Sequence, residues 1–444
     1  MRTVGIIAEY NPFHNGHAYQ IAEIRKRLKA DYVIIAMSGD FVQRGTPAAI
    51  DKYVRTAMAL NCGADLVIEL PAFWAVSSAE SFAMAGVSLF EKMRCVDTLC
   101  FGAECDDLEL LDSIADVLVT EPDYYKERLS SYLKEGISFP AARSKAVIDY
   151  SNCRKADTSD VNAAAGLLHI TDSKLLEAIM NAPNNILALE YLKALKLCKS
   201  DIQPYLIARK GSGYHAKNID HPLASATAIR GALKKCSALQ KQHPLSDSDE
   251  NSDALIASAM PEKAYQLLTK YLADYPMMSA NDFSSALSYL LLTKNVEELA
   301  DYADANIDIA RRIKKNLPQF SSFEEFCLLN KSRDITYTRM CRLFTHILLN
   351  HTQKEYNLAK EQDYIPYLRI LGFRKDAAPL LSTVKEHSLI PMITKLADAK
   401  NILSESIMAL LEKDIAAAEL YESVLAQKAG RDARSEFGRG VVRV

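Results

Sequence analysis

The residues with the most evident chemistry lie at the start of the chain, in the string Asn11-Pro12-Phe13-His14-Asn15-Gly16-His17. It follows a short apolar run, Val4 to Ala8, and precedes Ile21, Ile24 and Leu28, which recur at helical spacing. Pro12 and Gly16 shape a tight turn, and Gly16 lets backbone come close to a ligand. A helix that opens here presents free N–H groups and a partial positive charge. Two imidazoles three residues apart can then face one anion, so His14 and His17 are the candidate catalytic residues of a phosphate site. A lone His pair is more often a surface or capping feature; the strand-turn-helix context and the clustered Asn, Pro and Gly favour the phosphate reading. Zinc is the weaker alternative, because a third ligand is not evident.

Two further stretches suit phosphate. In Ser225-Ala226-Thr227-Ala228-Ile229-Arg230, Ser225 or Thr227 is a good N-cap and Arg230 falls in the first turn. An ordinary capped helix with an exposed Arg fits those residues equally well. Lys210, Gly211 and Gly213 could form a phosphate loop, although a glycine-rich turn is the commoner explanation. The nine cysteines are scattered singly without a Cys-x-x-Cys, and Cys95, Cys100 and Cys105 do not fit a zinc spacing. They read as buried thiols in a reducing compartment.

These residues need a scaffold. Apolar, β-branched runs at 4–8, 32–37, 65–70 and 96–101 alternate with helical patterns at 17–28, 53–60 and 77–92. That alternation predicts an α/β, Rossmann-like parallel sheet with helices on its faces, and ligands at the carboxyl ends of the strands. Residues 107–200 read as mostly helical, and 205–208 as a late strand returning to the sheet. The polar, acidic stretch 241–253 has linker composition. Beyond it the pattern is helical with little strand signal, ending in a loose tail over 431–444. The expected organisation is a sheet domain over 1–240, a linker over 241–253 and a mostly α-helical C-terminal domain over 254–444.

Length and composition narrow the class. The chain has 444 residues, 49% hydrophobic and 25% charged, which excludes wholesale disorder and a disulfide miniprotein. No apolar run approaches the ~20 residues of a membrane span. The first apolar stretch is too short for a signal-peptide core, so a cytoplasmic location is expected. The net charge of −3 hides an uneven pattern: residues 244–310 carry 3 basic and 12 acidic side chains, and 311–400 carry 16 basic and 9 acidic ones. The second stretch leaves a nucleic-acid partner open, although charge alone equally fits a solvated helical surface.

His14-Asn15-Gly16-His17 resembles the HxGH signature of the nucleotidyltransferase and class I aminoacyl-tRNA synthetase superfamily. The longer string from Val4 to His17, with Met37-Ser38-Gly39-Asp40-Phe41-Val42-Gln43-Arg44-Gly45, is similar to the bacterial tRNA(Met) cytidine acetate ligases. So are Phe101-Gly102-Ala103-Glu104, Asn184-Asn185-Ile186-Leu187, Arg209 to His215 and Ser225 to Arg230. The likeness is dense over 1–235 and looser beyond. It implies that acetate attacks the α-phosphate of ATP to give acetyl-adenylate and pyrophosphate. The wobble cytidine of elongator tRNA(Met) then takes the acetyl group as N4-acetylcytidine.

By the same resemblance the ATP-binding residues are Ile7, Ala8, Glu9, Tyr10, Asn11, Pro12, Phe13, His14, Asn15, Gly16, His17 and Gln20, with Gly102, Asn184 and Arg209. Ser225, Thr227 and Arg230 are further phosphate contacts. Asn185 adjoins Asn184 and could take its place. Mg²⁺ is expected with the pyrophosphate leaving group; no protein carboxylate cage is evident, and Asp40 is as readily a turn-capping residue. Ala188 stands where the family leads one to expect Gly. A tRNA partner requires a second surface, for which the basic stretch supplies Arg311, Arg312, Lys331, Arg333, Arg339, Arg342, Arg374 and Lys375, with Tyr367 and Phe373 as stacking rings. Two other readings remain: a small-molecule adenylyltransferase of the pantetheine-phosphate or nicotinate-mononucleotide kind, and a non-catalytic RNA-binding protein. The oligomeric state is not legible.

Overall fold

A computed structural model describes residues 1–156, 172–209, 223–242 and 248–444. Its strands are β1 (Thr3–Ala8), β2 (Tyr32–Ser38), β3 (Phe41–Val42), β4 (Thr46–Pro47), β5 (Leu66–Leu70), β6 (Thr98–Ala103), β7 (Gln203–Ala208), β8 (Leu368–Phe373), β9 (Met392–Ile393) and β10 (Val442–Arg443). The main sheet runs β10-β8-β5-β2-β1-β6-β7, with β9 also beside β8; β3 and β4 form a separate antiparallel hairpin. From β5 to β7 every neighbour is parallel. The chain builds outward from β1 to β2 and β5, then crosses to the other side for β6 and β7. The strand order therefore reverses between β1 and β6, and at their carboxyl ends a crevice opens where α/β sheets bind ligands.

The sequence accounts for this core. The central strands are buried on both faces, so they are continuous apolar runs rather than alternating ones. Within β2, Ile34 and Ala36 face one core, shared with helices Ala79–Met93 and Pro183–Leu197. Val33, Ile35 and Met37 face the other, shared with Asn15–Glu23, Lys52–Asn61 and Glu262–Asp274. The helices expected over 107–200 are present among the described residues as Leu108–Thr120, Asp123–Lys134, Phe139–Ala156, Ser173–Asn181 and Pro183–Leu197.

The C-terminal part is mostly helical, as expected, but it also carries three strands that the sequence pattern does not signal. Helices between Ala280 and Leu349 enclose a core of their own, but β8, β9 and β10 join the main sheet. β8 lies antiparallel to β5 and covers what would otherwise be an open edge. The tail expected to be loose is also ordered: β10 pairs with Gly372 and Phe373, and Glu436 is buried. Strands of two residues carry no readable periodicity, which is why they are missed. The acidic stretch read as linker is partly helix, Ser248–Ser258, because Ser, Asp and Glu also suit a helix start; residues 243–247 lie outside the described residues.

A buried ion network holds the two parts together. Glu69 on β5 is opposite Arg369 on β8 in register, and the two pair at 2.9 Å. Lys52 reaches Glu69 at 2.8 Å and Glu436 at 2.7 Å, while Arg369 also pairs with Glu436 and the Tyr53 hydroxyl donates to Glu436. Burial opposes charge on Glu436, but Lys52 and Arg369 hold its carboxyl down at about 2. Removing one member leaves a buried charge unmatched. Arg369→Ala should therefore cost about 3–5 kcal/mol in chemical denaturation; a loss below about 1 kcal/mol, the worth of an exposed pair, would contradict this role.

Candidate active site

The site grows from the turn after β1. Arg55 is wholly buried and donates to the carbonyls of Glu9 (2.8 Å), Ser38 (3.0 Å), Ile50 (3.1 Å) and Gly39. It ties the carboxyl ends of β1 and β2 together. The Glu9 carboxylate accepts from the Gln43 N–H at 2.8 Å. Tyr10 then turns back at φ +49°, a region few side chains adopt. Tyr10 and Phe13 are buried and meet edge-on at 4.8 Å. Both abut His17, at 4.7 and 5.4 Å between ring centres. Asn11 holds the Ala49 N–H at 2.8 Å, and Arg230 donates to the Asn11 carbonyl at 2.6 Å.

The two histidines cap helix Asn15–Glu23 reciprocally. His14 Nδ1 accepts the Gly16 N–H at 3.0 Å, and His17 Nδ1 accepts the His14 N–H at 3.2 Å. This is a capping box built from two imidazoles. A backbone N–H can only donate, so each Nδ1 is unprotonated and each neutral ring carries its proton on Nε2. The rings stack at 3.7 Å with 28° between their planes. Gly16 is required by this stack: a Cβ there would lie 2.9 Å from His14 Cε1. Burial, with Arg209 and Arg230 nearby, lowers the His14 pKa to about 3. Burial, His14 and Arg209 hold His17 well below 6.5. The site thus offers two neutral N–H donors flanked by two guanidinium groups, a combination that suits a polyanion.

The remaining expected residues are distributed as follows. Gly102, at the carboxyl end of β6, has room for a methyl group, whose nearest neighbour would be Arg209 Cγ at 3.5 Å. Protein packing therefore does not demand glycine there. Arg209 follows β7, and its Nη1 donates to Asn184 Oδ1 at 3.2 Å. Asn185 is buried, and its side chain is spent on Glu104 N, Cys105 N and Ile179 O. Asn184, not Asn185, faces the crevice. Gln20 reaches the Cys100 carbonyl at 3.4 Å. Ser225 accepts the Ala228 N–H at 3.1 Å as N-cap of Ala226–Gln242, while Thr227 is exposed and meets Arg230 at 3.2 Å. Ile7, Pro12 and Ala8 lend backbone rather than reactive groups; Ile7 belongs to the core. The Asn15 amide donates to the Ser258 carbonyl at 2.8 Å. Lys210, Gly211 and Gly213 lie outside the described residues.

Several expectations change. Asp40 is no metal ligand: it is buried, accepts the Lys52 N–H at 2.9 Å and pairs with Lys52 and Arg55. Burial pushes its pKa up to about 6. Ala188 is fully buried in the core, so its methyl is absorbed there. Arg342 pairs with Asp304 at 2.7 Å, and Arg339 donates to the Asp304 carbonyl at 3.2 Å, so both are engaged within the protein. Tyr367 is buried and donates to Asp414, which removes it as a stacking ring. Arg374 and Lys375 follow β8 at the amino ends of the parallel strands, where Arg374 N donates to Asp65 O at 2.9 Å. They are at the wrong end of the sheet for the His pair.

Arg311, Lys331 and Arg333 are exposed, and Arg312 donates to the Asn330 carbonyl at 3.3 Å. Their helical layer sits on the β3–β4 hairpin at the carboxyl end of β2. There Gly45, at φ +73°, lies against the backbone of Cys341 and Arg342, and Thr345 donates to the Gly45 carbonyl at 2.9 Å. Sequence reasoning missed Arg55, Gln43 and Glu104 as organisers of the site. A basic residue inside a helix lined with apolar positions was the available signal for Arg55. Among the described residues no cluster of three or more His, Cys, Asp or Glu could hold a metal, and no helix is long and apolar enough to cross a membrane.

The pKa values give a signed pH dependence. Below about 6.5 the unfolded His14 ring binds a proton that the folded ring refuses until about 3. Stability should be level with respect to this group above pH 6.5 and fall as pH drops toward 3. Compared with His14→Gln, the wild type should lose up to about 1.4 kcal/mol per pH unit in that window. Parallel stability curves for the two proteins would contradict the assignment.

Comparison with known proteins places this geometry. Residues 1–436 match the sequence model of the family described as HIGH Nucleotidyl Transferase. A tRNA(Met) cytidine acetate ligase of Clostridium perfringens is 38% identical over 426 residues, covering 95% of each chain. One of Acetivibrio thermocellus is 35% identical over 443 residues and the whole of both chains. The crystal structure of apo Thermotoga maritima TmcAL superposes with a TM-score of 0.87 at 25% identity, covering all of both chains. The same protein bound with alpha-thio ATP superposes with a TM-score of 0.85, also at 25% identity and over 99% of that chain.

Proposed function

We propose that this chain, which belongs to the HIGH nucleotidyl transferase family, is a tRNA(Met) cytidine acetate ligase. It activates acetate with ATP and passes the acetyl group to the wobble cytidine of elongator tRNA(Met). The observation that carries the reading is the His14–His17 pair, two neutral Nε2–H donors at the strand-order reversal, flanked by Arg209 and Arg230. Relatives of the same full length bear that name.

In the first step an acetate oxygen forms a bond to the α-phosphorus of ATP, and the bond to pyrophosphate breaks. Negative charge builds on the phosphate oxygens. The His Nε2–H groups donate to them without first losing a proton, and Arg209 and Arg230 supply the positive charge. Little covalent help is needed, since alignment and charge provide most of the acceleration. In the second step the cytidine N4 amine attacks the acetyl carbonyl, AMP leaves, and the amine gives up one proton. Magnesium would accompany the triphosphate and neutralise charge on the pyrophosphate leaving group; Asp40 would not hold it, being committed to Lys52 and Arg55. ATP, acetate and tRNA meet in the cytoplasm, the location this reading implies.

We read residues 1–240, with the added C-terminal strands, as the activating unit. The helical layer over 280–349 is read as the RNA-facing unit. Exposed Lys331 and Arg333, with Arg311 and Arg312, are its phosphate contacts. A small-molecule adenylyltransferase would have no use for that layer.

Two measurements check the reading. Labelled pyrophosphate should exchange into ATP only when acetate is present, and His14→Ala or His17→Ala should lower the rate by about a hundredfold or more; exchange without acetate, or unchanged turnover in either variant, would remove the mechanism. Nucleoside mass spectrometry of tRNA incubated with protein, ATP and acetate should reveal N4-acetylcytidine. Lys331→Glu with Arg333→Glu should weaken that product about tenfold while sparing exchange. Arg374→Glu with Lys375→Glu should leave both activities intact, and the opposite pattern would move the RNA surface elsewhere.

A further inference from the structure

Glu104 lies just beyond β6 and takes no part in the scheme above. Its carboxylate bridges to the first turn of helix Pro183–Leu197. Oε2 accepts the Asn185 N–H at 2.9 Å, and Oε1 lies 3.4 Å from the Asn184 N and 2.6 Å from its side-chain Nδ2. In return Asn185 Oδ1 accepts the backbone N–H groups of Glu104 and Cys105, at 2.8 and 2.9 Å. The two segments hold one another by five contacts. The carboxylate sits where free N–H groups and the positive end of the helix favour a negative charge.

The consequence concerns the amide of Asn184. A carboxylate only accepts, so it fixes the NH2 of Asn184 toward itself. The amide oxygen must then point the other way, where Arg209 Nη1 meets it at 3.2 Å. Arg209 is otherwise an exposed side chain with much rotamer freedom. The chain of contacts Glu104–Asn184–Arg209 thus holds the Arg209 side chain, whose Cγ and Cδ pass beside Gly102, at the carboxyl ends of β6 and β7. Glu104 thereby sets which end of the amide Arg209 meets: a flipped amide would turn its own NH2 toward the Arg and repel it.

We propose that Glu104 is a positioning residue for the nucleotide, acting through Asn184 to hold Arg209 in its binding pose. The inference rests on the functional reading only in taking ATP as the ligand. In Glu104→Gln the side chain keeps its size, but one oxygen becomes an NH2 that cannot accept from the helix N-terminus. The Asn184 amide is then free to turn and release Arg209.

The test is ATP titration by calorimetry, together with acetate-dependent exchange kinetics. Glu104→Gln should raise the Kd and KM for ATP on the order of tenfold, as loss of an orienting partner does elsewhere. The KM for acetate should move less than about twofold, since the contact lies on the nucleotide side. Melting temperature should fall by only a few degrees, the cost of one weakened contact at a helix N-terminus. In an Arg209→Ala background the same substitution should add nothing further, because the two act in series. Wild-type ATP affinity in Glu104→Gln, or the same tenfold loss repeated without Arg209, would overturn the proposal. The titration reads the nucleotide alone. A protein that binds ATP through this chain yet shows no acetate-dependent exchange would support the positioning role and remove the acetate reading instead.

Discussion

The structure depends on one local constraint: the two imidazoles of the first turn spend their Nδ1 atoms on backbone N–H groups of that same turn. His14 takes the Gly16 N–H and His17 takes the His14 N–H. That reciprocal cap starts the helix, selects the tautomer and leaves the proton of each ring on Nε2. Its neighbours follow from it. Residue 16 must be glycine for the His14 ring to lie where it does. Tyr10 and Phe13 must be buried to support the His17 ring. The surroundings keep the rings uncharged, so positive charge in the site comes from Arg209 and Arg230. Neutral donors and permanent cations divide the work between them.

The sheet brings these groups together from distant sequence. β1 carries the turn, β6 brings Gly102 beside it, and β7 delivers Arg209 one strand further. Arg55 fixes the ends of β1 and β2 from beneath. On the other side the C-terminal strands close the β5 edge, and the buried cluster of Lys52, Glu69, Arg369 and Glu436 locks them. A tail near residue 436 therefore stabilises the strand beside the one that precedes Asp40. The helical layer meets the same end of the sheet at Gly45, where Thr345 donates to its carbonyl.

Much of this was legible in the sequence. The parallel strands were continuous apolar runs, and the His-x-x-His turn announced itself by type and position. What was missed depends on contacts between residues far apart. A six-residue strand at Leu368–Phe373 inside a helical stretch, and two-residue strands at 392–393 and 442–443, have no periodicity of their own. Arg342, Arg374 and Tyr367 looked like parts of an RNA surface, because sequence gives charge and aromaticity but not the distant partner: Asp304, Asp65 and Asp414 meet them. Asn184 and Asn185 are indistinguishable by type. Only the fold shows that Asn185 is enclosed by Glu104, Cys105 and Ile179 while Asn184 faces Arg209.

The most direct test of the central claim is nitrogen-15 NMR of the His14 and His17 rings near pH 7, with and without ATP. The account predicts neutral rings, bare at Nδ1 and protonated at Nε2, with the Nε2 resonances shifting when ATP is added. A proton on Nδ1 of either ring, or Nε2 resonances indifferent to saturating ATP, would contradict it.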